Sequence, residues 1–304
     1  MKKKLLAFCM VMAMSCGLMA CGGGEEGSGD GDGNDLITVG FSQVGAESDW
    51  RTANTVSMKN TFTKENGYEL IFDDAQQKQE NQIKAVRNFI QQEVDYIVIA
   101  PVTETGWETV LQEAKEADIP VIIVDRMVAV DDESLYTAWV GSDFRAEGDK
   151  AVAWMEEFFK DADKVNIIDL QGTIGASAQI GRTDGLKAGV EKNSNWTLLA
   201  AQTGDFTQAK GLEVMESLLK QHEDIDVVYC ENDNMAYGAI DAIKAAGKTV
   251  GVGENDIKVI SFDAGKAALE LVLAKEICLN VECNPLHGPR VAEIIQMLEE
   301  GKSP

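Results

Sequence analysis

Basic residues are scarce in this chain. Of its 304 residues, 27 are Lys or Arg and 51 are Asp or Glu, which gives a formal net charge of −24 at pH 7. Because nucleic acid is a polyanion, a protein that binds its phosphate backbone needs clustered Lys and Arg. The composition therefore excludes most nucleic-acid binding, and we expect no nucleic acid among the partners.

Histidines and regularly spaced cysteines are also scarce. The two histidines, His222 and His287, have no nucleophile pattern beside them. The six cysteines are irregularly spaced and include no C-x-x-C pair, so the sequence predicts neither a disulfide scaffold nor a metal site. The glycines of Gly251-Val252-Gly253 are not followed by the third glycine of a dinucleotide fingerprint. We expect a protein without catalysis, cofactor or metal.

Apolar residues make up 45% of the chain, which is ordinary for a globular protein. That fraction excludes disorder of the whole chain, because it suffices to build a packed core. At this length the chain should hold one or two domains whose stability comes from packing.

The amino terminus has the pattern of an export signal. Lys2, Lys3 and Lys4 precede an apolar run from Leu5 to Ala20, which is shorter than the roughly 20 residues of a transmembrane helix. The string Leu18-Met19-Ala20-Cys21 resembles the lipobox of bacterial lipoproteins, which implies cleavage before Cys21 and lipid attachment to it. The alternative is a plain secretory signal. We predict a signal peptide over residues 1–20 and a protein anchored by lipid to the outer face of the cytoplasmic membrane.

Residues 21–35 have no apolar side chain after Cys21. They include seven glycines and five carboxylates, so they cannot pack into a core. A chain of this composition behaves as a flexible coil with a reach of about 20 Å. We predict a lipid-anchored tether over 21–35, with folded structure beginning at Leu36.

From Leu36 onward, short β-branched runs alternate with segments of helical period. This alternation predicts βα units and parallel sheets, and the length favours two lobes. The runs predicted as strands are Ile37–Ser42, Glu69–Asp73, Tyr96–Ala100, Val121–Asp125, Thr137–Val140, Val165–Leu170, Thr197–Ala201, Val227–Cys230, Lys258–Phe262 and Ile277–Val281.

Polar and aromatic residues follow nearly every predicted strand. Ligands of parallel sheets bind beyond the carboxyl ends of the strands, so these residues should meet at one edge. They are Glu47, Ser48, Asp49, Trp50, Arg51, Asp125, Arg126, Arg182, Phe206, Asn232, Asp233 and Asp263. Carboxylates accept hydrogen bonds, guanidinium groups donate them and Asn does both, which together suit a ring of hydroxyls. The set therefore indicates carbohydrate recognition.

Taken singly, these residues have structural roles that stay open. Asp49 and Asn232 are helix-capping types, Asp125 and Arg126 could form a structural ion pair, and Trp50 could be core.

Several longer strings resemble a known family. They are Phe41-Ser42-Gln43-Val44-Gly45, Glu47-Ser48, Trp50-Arg51, Asp74-Ala75-Gln76-Gln77-Lys78-Gln79-Glu80-Asn81-Gln82, Thr105-Gly106-Trp107-Glu108, Asp125-Arg126, Leu170-Gln171-Gly172-Thr173 and Gly204-Asp205-Phe206-Thr207. They look like the periplasmic sugar-binding proteins of ABC importers of the ribose-binding group, and most like its galactofuranose binders. The resemblance covers Leu36 to Glu300.

The resemblance implies an α/β fold of periplasmic binding protein type I, with two Rossmann-like lobes of parallel sheets joined by a hinge. It implies a first lobe of residues 36–140 plus 284–304 and a second lobe of 141–283. A monosaccharide, galactofuranose-like or related, would bind between the closing lobes of a monomer and pass to an ABC permease. The implied ligand-binding residues are Ser48, Asp49, Trp50, Arg51, Asp125, Arg126, Arg182, Phe206, Asn232, Asp263 and Glu282.

Some features depart from the family pattern. Asp49 stands where galactofuranose binders have Gly, their cysteine pair is not reproduced, and a third crossing strand is not found before Pro304. Whether Cys230, Cys278 and Cys283 form a disulfide is left open. A transcription regulator of the lactose-repressor type would need an amino-terminal DNA-binding helix-turn-helix. In this sequence the predicted signal peptide and tether occupy that place. The alternative that remains is a sugar sensor that presents its closed form to a signalling receptor.

Overall fold

The computed structural model describes residues 36–304. The predicted signal peptide, Cys21 and the tether lie outside the described residues. No helix within residues 36–304 combines the length and the apolar content needed to span a membrane.

The first sheet contains five parallel strands. They are β1 (Ile37–Gln43), β2 (Tyr68–Asp74), β3 (Tyr96–Ile99), β4 (Val121–Val124) and β5 (Ala138–Val140), in the spatial order β2-β1-β3-β4-β5. Helices α1 (Asp49–Thr61), α2 (Gln79–Gln91) and α3 (Glu108–Glu116) connect them, with 3-10 turns at Lys64–Asn66 and Glu133–Leu135. From β1 the chain adds β2 on one side, and from β3 onward it adds strands on the other side. Such a switch point, here between β1 and β3, opens a crevice at the carboxyl edge.

The second sheet repeats this architecture. Its strands are β6 (Val165–Gln171), β7 (Trp196–Thr203), β8 (Val227–Cys230), β9 (Lys258–Asp263) and β10 (Leu279–Glu282), parallel and in the order β10-β9-β8-β6-β7. Its helices are α4 (Phe144–Phe158), α5 (Ser177–Lys192), α6 (Gln208–Gln221), α7 (Asp233–Ala245) and α8 (Lys266–Leu273), and the chain then continues into α9 (Gly288–Glu299), which packs on the first sheet. The order in which strands are added reverses between β6 and β8, so this sheet has an equivalent crevice.

All ten predicted strands are present, which confirms the predicted fold class. The observed strand boundaries differ from the predicted ones by a few residues. Strand β7 extends through Thr203 beside an irregularity in its pairing with β6 between Ile167 and Ile168. Strand β10 begins at Leu279, two residues after the predicted start at Ile277.

Buried apolar side chains cover both faces of each sheet. Helix α2 packs in one core layer of the first sheet, where its Val86 is fully buried. Helix α9 lies against α1 and contributes Val291 and Ile295 to the opposite layer, beside Val39 of β1. The last described helix therefore completes the core of the first sheet.

Helices α4 and α5 approach each other at glycines. A Cβ atom on Gly185 would lie 2.7 Å from the backbone carbon of Gly148, and one on Gly181 would lie 2.7 Å from Cβ of Phe144. Backbones can come this close only where no side chain intervenes. The contact holds Arg182 of α5 next to Glu147 of α4, which matters for the site described below.

Replacing Gly185 by Ala should therefore destabilise the protein by about 1–3 kcal/mol, because the added methyl group overpacks the α4–α5 contact. Denaturant unfolding of the variant and the parent measures this difference. Intrinsic helix propensity alone predicts the opposite sign, a gain of about 1 kcal/mol for Ala over Gly. A stabilised variant would contradict the close-contact interpretation.

A candidate binding cavity between the two sheets

A cavity lies where the carboxyl edges of the two sheets face each other. Residues from both lobes line it: Glu47, Ser48, Trp50, Arg51, Asp125, Arg126, Phe144, Ala178, Arg182, Phe206, Asn232, Asp263 and Cys283. Nine of the eleven residues predicted from the sequence are in this set. The strand-end rule thus locates the cavity, while the roles of its residues as ligands stay predictions.

The other two predicted residues lie elsewhere. Asp49 is exposed and lines a second cavity on the far side of Trp50, together with Asn234 and Lys266. Glu282 is exposed at the end of β10. Neither residue lines the first cavity, where the other nine predicted residues lie.

The first-lobe wall of the cavity is a buried cluster of alternating charges. Arg51 Nε donates to Glu47 Oε1 at 3.0 Å, and Arg51 Nη2 donates to Asp125 Oδ2 at 2.6 Å. Arg126 Nη2 lies 3.7 Å from the same Glu47 oxygen, and its Nη1 donates to the Val102 carbonyl at 2.9 Å. One carboxylate therefore serves two arginines.

Burial and neighbouring charges set the ionisation of this cluster. Burial alone would raise the pKa of Asp125, but Arg51 and Arg126 outweigh it and hold that pKa below its usual value. Burial, with the nearby charge of Arg51, lowers the pKa of Arg126 to about 10. Both side chains therefore remain charged at neutral pH.

The second-lobe wall is built around Arg182, which is 2% exposed. Its Nε donates to Glu147 Oε2 at 2.9 Å, its Nη1 donates to the Glu231 carbonyl, and its Nη2 lies 3.6 Å from Asp263 Oδ1. Burial, reinforced by Asp233 and Glu147, raises the pKa of Asp263 well above its usual value despite the opposing charge of Arg182. A protonated Asp263 can donate a hydrogen bond as well as accept one.

An aromatic side chain of the second lobe packs against the first-lobe wall. The guanidinium carbon of Arg126 lies 5.0 Å from the centre of the Phe206 ring, within the range of a cation–π contact. The ring occupies the space above Gly172, where a Cβ atom would lie 1.9 Å from Phe206 Cζ. The ring can therefore occupy this place only because residue 172 has no side chain.

Three residues that line the cavity have a backbone conformation that L side chains rarely adopt. Asp125 has φ 62°, Phe206 has φ 61° and Asp263 has φ 107°. Such conformations cost about 1–3 kcal/mol each and tend to cluster at functional sites. Their concentration here supports the assignment of the cavity as the functional site.

Two of the predicted residues also cap helices. Ser48 accepts a hydrogen bond from the Arg51 amide at 3.1 Å and begins α1. Asn232 accepts from the Met235 amide at 2.9 Å, begins α7, and donates to the Phe206 carbonyl at 3.0 Å. The capping interpretation was therefore correct for Asn232, and Ser48, not Asp49, caps α1.

The lobes touch around the cavity through hydrogen bonds of their own. The Met127 amide donates to Ser177 Oγ at 2.8 Å, and the Glu104 amide donates to the Gly175 carbonyl at 2.9 Å. On the opposite side, the Asp49 amide donates to Asn234 Oδ1 at 3.1 Å. The structure is thus a closed arrangement of the two lobes.

The predicted ligand set omitted two carboxylates that pair with the arginines, Glu47 and Glu147. Glu47 follows β1 just as Ser48 does, so the strand-end rule singled it out, but the ligand set omitted it. Glu147 lies within α4 and no strand-end signal indicates it. Cys283 lines the cavity, and it is a free thiol, as are Cys230 and Cys278.

Uncharged polar ligands fit this chemistry. Three carboxyl groups and three guanidinium groups line the cavity, and each guanidinium group pairs with one of the carboxyl groups. Within residues 36–304 no group of three or more His, Cys, Asp or Glu side chains is arranged to hold a metal ion. The arrangement presents hydrogen-bond donors and acceptors at fixed positions around an aromatic ring.

Behind the second-lobe wall lies a pair of buried carboxyl groups. Asp169 is 1% exposed, and its carboxyl oxygens have no well-formed hydrogen bond among the described residues. Glu231 accepts from the Gly172 amide at 2.7 Å and from Thr183 Oγ1 at 2.5 Å. Burial raises the pKa of Asp169 to about 7, and the nearby Gln171 and the charge of Lys187 offset this only in part. Burial and the charge of Asp169 raise the pKa of Glu231 well above its usual value.

Comparison with known proteins identifies the family. The family described as "Periplasmic binding protein domain" matches residues 39–287, and the chain belongs to it. The galactofuranose-binding protein YtfQ of Escherichia coli is 43% identical over 272 residues, which is 88% of this chain and 84% of that protein.

Two solved structures are similar in fold and sequence. A Mycobacterium smegmatis protein in complex with β-D-fucofuranose has a TM-score of 0.84 and 45% identity, and the match covers 88% of each chain. The binding protein of an arabinose ABC transporter from Shewanella sp. ANA-3, bound to α- and β-L-arabinofuranose, has a TM-score of 0.82 and 45% identity. That match covers 88% of this chain and 87% of the other.

The buried carboxyl pair predicts an unusual pH dependence of stability. An ordinary Asp has a pKa of about 3.9, so between about pH 4 and 7 folded Asp169 holds a proton that the unfolded chain has lost. The stability from this proton is fully present below about pH 4 and is lost as the pH rises through 7. We expect the free energy of unfolding to fall by up to about 1.4 kcal/mol per pH unit in this interval.

The Asp169→Asn variant has no such proton to lose, so its free energy of unfolding should fall less steeply. Urea unfolding of both proteins at several pH values between 4.5 and 7.5 measures the two slopes. Parallel curves for variant and parent would show that Asp169 does not titrate in this range.

Proposed function

We propose that this protein is the solute-binding component of an ABC importer and captures a monosaccharide, galactofuranose-like or a related furanose, between its two lobes. One observation carries the proposal: nine predicted polar and aromatic residues from both sheets meet in one cavity, whose lining includes three carboxyl and three guanidinium groups. A neutral ligand with many hydroxyls suits this lining, because each hydroxyl both donates and accepts.

The relatives support the same class of ligand. The three proteins compared above are described as binding galactofuranose, fucofuranose and arabinofuranose. These are furanoses, so the ring form is the feature most widely shared among them. Relatives are described as binding proteins, which supports a role in binding without catalysis.

We propose that ligand binding works by closure of the lobes. Residues 36–140 with 284–304 would form one lobe and residues 141–283 the other, with the hinge at the two chain crossings that follow β5 and β10. A sugar that contacts both lobes binds the closed state more tightly than the open state and so shifts the population towards it. The closed form would then deliver the sugar to the permease.

The proposal extends to the amino terminus. A signal peptide over 1–20, a lipid at Cys21 and a tether over 21–35 would hold a monomer near the permease, at the outer face of the cytoplasmic membrane. The alternative, a sensor that presents its closed form to a signalling receptor, shares the binding step and differs only in what reads the closed form.

A thermal-shift screen tests the proposed ligand class. The panel contains D-galactose, D-fucose, L-arabinose and D-ribose, with adenosine and xylitol as other hydroxyl-rich compounds. A ligand at 100 times its Kd adds about 2.7 kcal/mol to stability, which is roughly 5–10 °C for a protein of this size. We expect at least one sugar to produce such a shift. If only adenosine or xylitol does, the assignment of the ligand as a sugar fails.

Truncation of buried charges tests the site. Arg126→Ala and Asp263→Ala should each weaken binding of the sugar found in that screen by at least about 1.5 kcal/mol, because buried partners lose a charge-assisted hydrogen bond. Isothermal titration calorimetry measures the change. Arg87→Ala is the matched control, since Arg87 also pairs with a carboxylate, Glu113, but is about half exposed and far from the cavity lining. Unchanged affinity in both buried variants would exclude this cavity as the site.

A further inference from the structure

The second cavity, on the far side of Trp50, has no role in the function proposed above. It lies between the lobes, because its lining combines Asp49, Trp50 and Ala53 of α1 with residues of α7 and α8 from the second lobe. Trp50 and Asp263 line both cavities, so the two cavities share a wall. A substituent that leaves a ligand in the first cavity past these two side chains therefore enters the second.

The second cavity stays open while the lobes are closed. The Asp49 amide donates to Asn234 Oδ1 at 3.1 Å and so joins the lobes, and both residues line this cavity. Asp49 and Lys266 are nevertheless exposed, so solvent reaches the lining. A ligand longer than one sugar ring can extend into this space without holding the lobes apart.

The lining combines aromatic rings with a few polar groups. Each lobe contributes one partly exposed ring, Trp50 from the first and Tyr237 from the second. The Trp50 indole donates to the Cys283 carbonyl at 2.7 Å, and the guanidinium carbon of Arg51 lies 4.8 Å from its ring centre, so the ring is held in place. Aromatic rings offer flat apolar surfaces to the C–H face of a sugar, and polar groups beside them fix its orientation.

Charge restricts what the second cavity can hold. Among the described residues, four carboxyl groups and one ammonium group line it, those of Asp49, Asp233, Asp263, Glu270 and Lys266. Burial raises the pKa of Asp233 to about 6 and that of Asp263 well above its usual value. Even with both of these protonated, Asp49 and Glu270 outnumber Lys266. A phosphate or carboxylate would be repelled here, whereas a neutral group would not.

We propose that the second cavity is an accessory subsite for a neutral sugar unit joined to the one in the first cavity, so that the protein binds furanose disaccharides as well as a monosaccharide. This inference rests on the proposed function and deepens it by naming a second class of substrate. Trp50 lies between the two units and contacts both.

A cavity that serves only as a solvent-filled entrance would give different measurements. A second sugar unit would then gain no contact there. Filling the entrance would slow binding and release of every ligand alike, and it would leave the ratio of disaccharide to monosaccharide affinity unchanged.

Calorimetry with a variant that fills the second cavity tests the proposal. The probes are D-galactose, L-arabinose, and the 1→3- and 1→5-linked disaccharides of D-galactofuranose and of L-arabinofuranose. We expect the unmodified protein to bind at least one disaccharide within about tenfold of the corresponding monosaccharide. Ala53→Trp should weaken that disaccharide at least about tenfold and leave the monosaccharide within about twofold, because Ala53 lines the second cavity and not the first.

Val56→Trp is the matched control. Val56 lies on the same helix, is 49% exposed and lines neither cavity. This variant should leave every affinity within about twofold. If Ala53→Trp changes disaccharide and monosaccharide by the same factor, or changes neither, the accessory subsite is wrong.

A charged second unit tests the restriction to neutral groups. A disaccharide whose second unit is oxidised to the uronic acid should bind at least about threefold more weakly than its neutral counterpart, and Asp49→Asn should narrow that difference. Equal affinity of the two disaccharides overturns the restriction.

Circular dichroism and thermal melting establish that each variant is folded. Should Ala53→Trp fail to fold, Ala267→Trp fills the same cavity from an exposed position on α8 and should cause the same selective loss. Retained disaccharide affinity in that variant overturns the proposal. If a monosaccharide binds and no disaccharide does, the subsite is wrong and the proposed function stands. If no sugar binds, the proposed function itself is contradicted and the subsite with it.

Discussion

Three buried arginines, each of which must keep its charge paired, are the constraint on which the rest of this structure depends. Arg51, Arg126 and Arg182 are 2–3% exposed. An isolated charge at such depth would cost several kcal/mol, whereas a hydrogen-bonded pair recovers much of that cost. Most partners of these arginines come from a loop, strand end or helix other than their own. The fold must therefore hold several chain segments together at one place.

Two features of the fold meet this requirement. Parallel sheets bring loops together at their carboxyl edges, so residues distant in sequence become neighbours. The glycines of α4 and α5 then allow two helices to approach closely enough for Glu147 to reach Arg182. The unfavourable backbone conformations at Asp125, Phe206 and Asp263 persist because this surrounding structure leaves no alternative. Local strain and tight helix packing thus serve the same group of charges.

Much of the fold and of the cavity could be predicted from the sequence, because strands and their ends have local signatures. β-branched runs gave the ten strands, and residues after those runs gave most of the cavity lining. What could not be predicted depends on contacts between elements. From the sequence alone, Glu147 is expected on a solvent-exposed face of its helix. The glycine contact with α5 that buries it is visible only in the structure. Asp169 reads as an ordinary strand residue, since nothing local indicates that its carboxyl group has no partner. Asp49 is adjacent to two cavity residues, yet it lines a different cavity.

The balance between open and closed lobes follows from the same polar groups. Hydrogen bonds join the lobes, among them those donated by the Asp49, Glu104 and Met127 amides and by the Trp50 indole, and each contributes about 0.5–1.5 kcal/mol. Against them stand the unpaired cavity atoms Glu47 Oε2 and Arg51 Nη1, which cost about 1–3 kcal/mol each when no partner reaches them. These costs oppose closure over an empty cavity. A ligand whose hydroxyls satisfy both atoms removes them. On the proposed function, the atoms that lack partners in the closed protein are therefore the ones that make closure depend on the sugar.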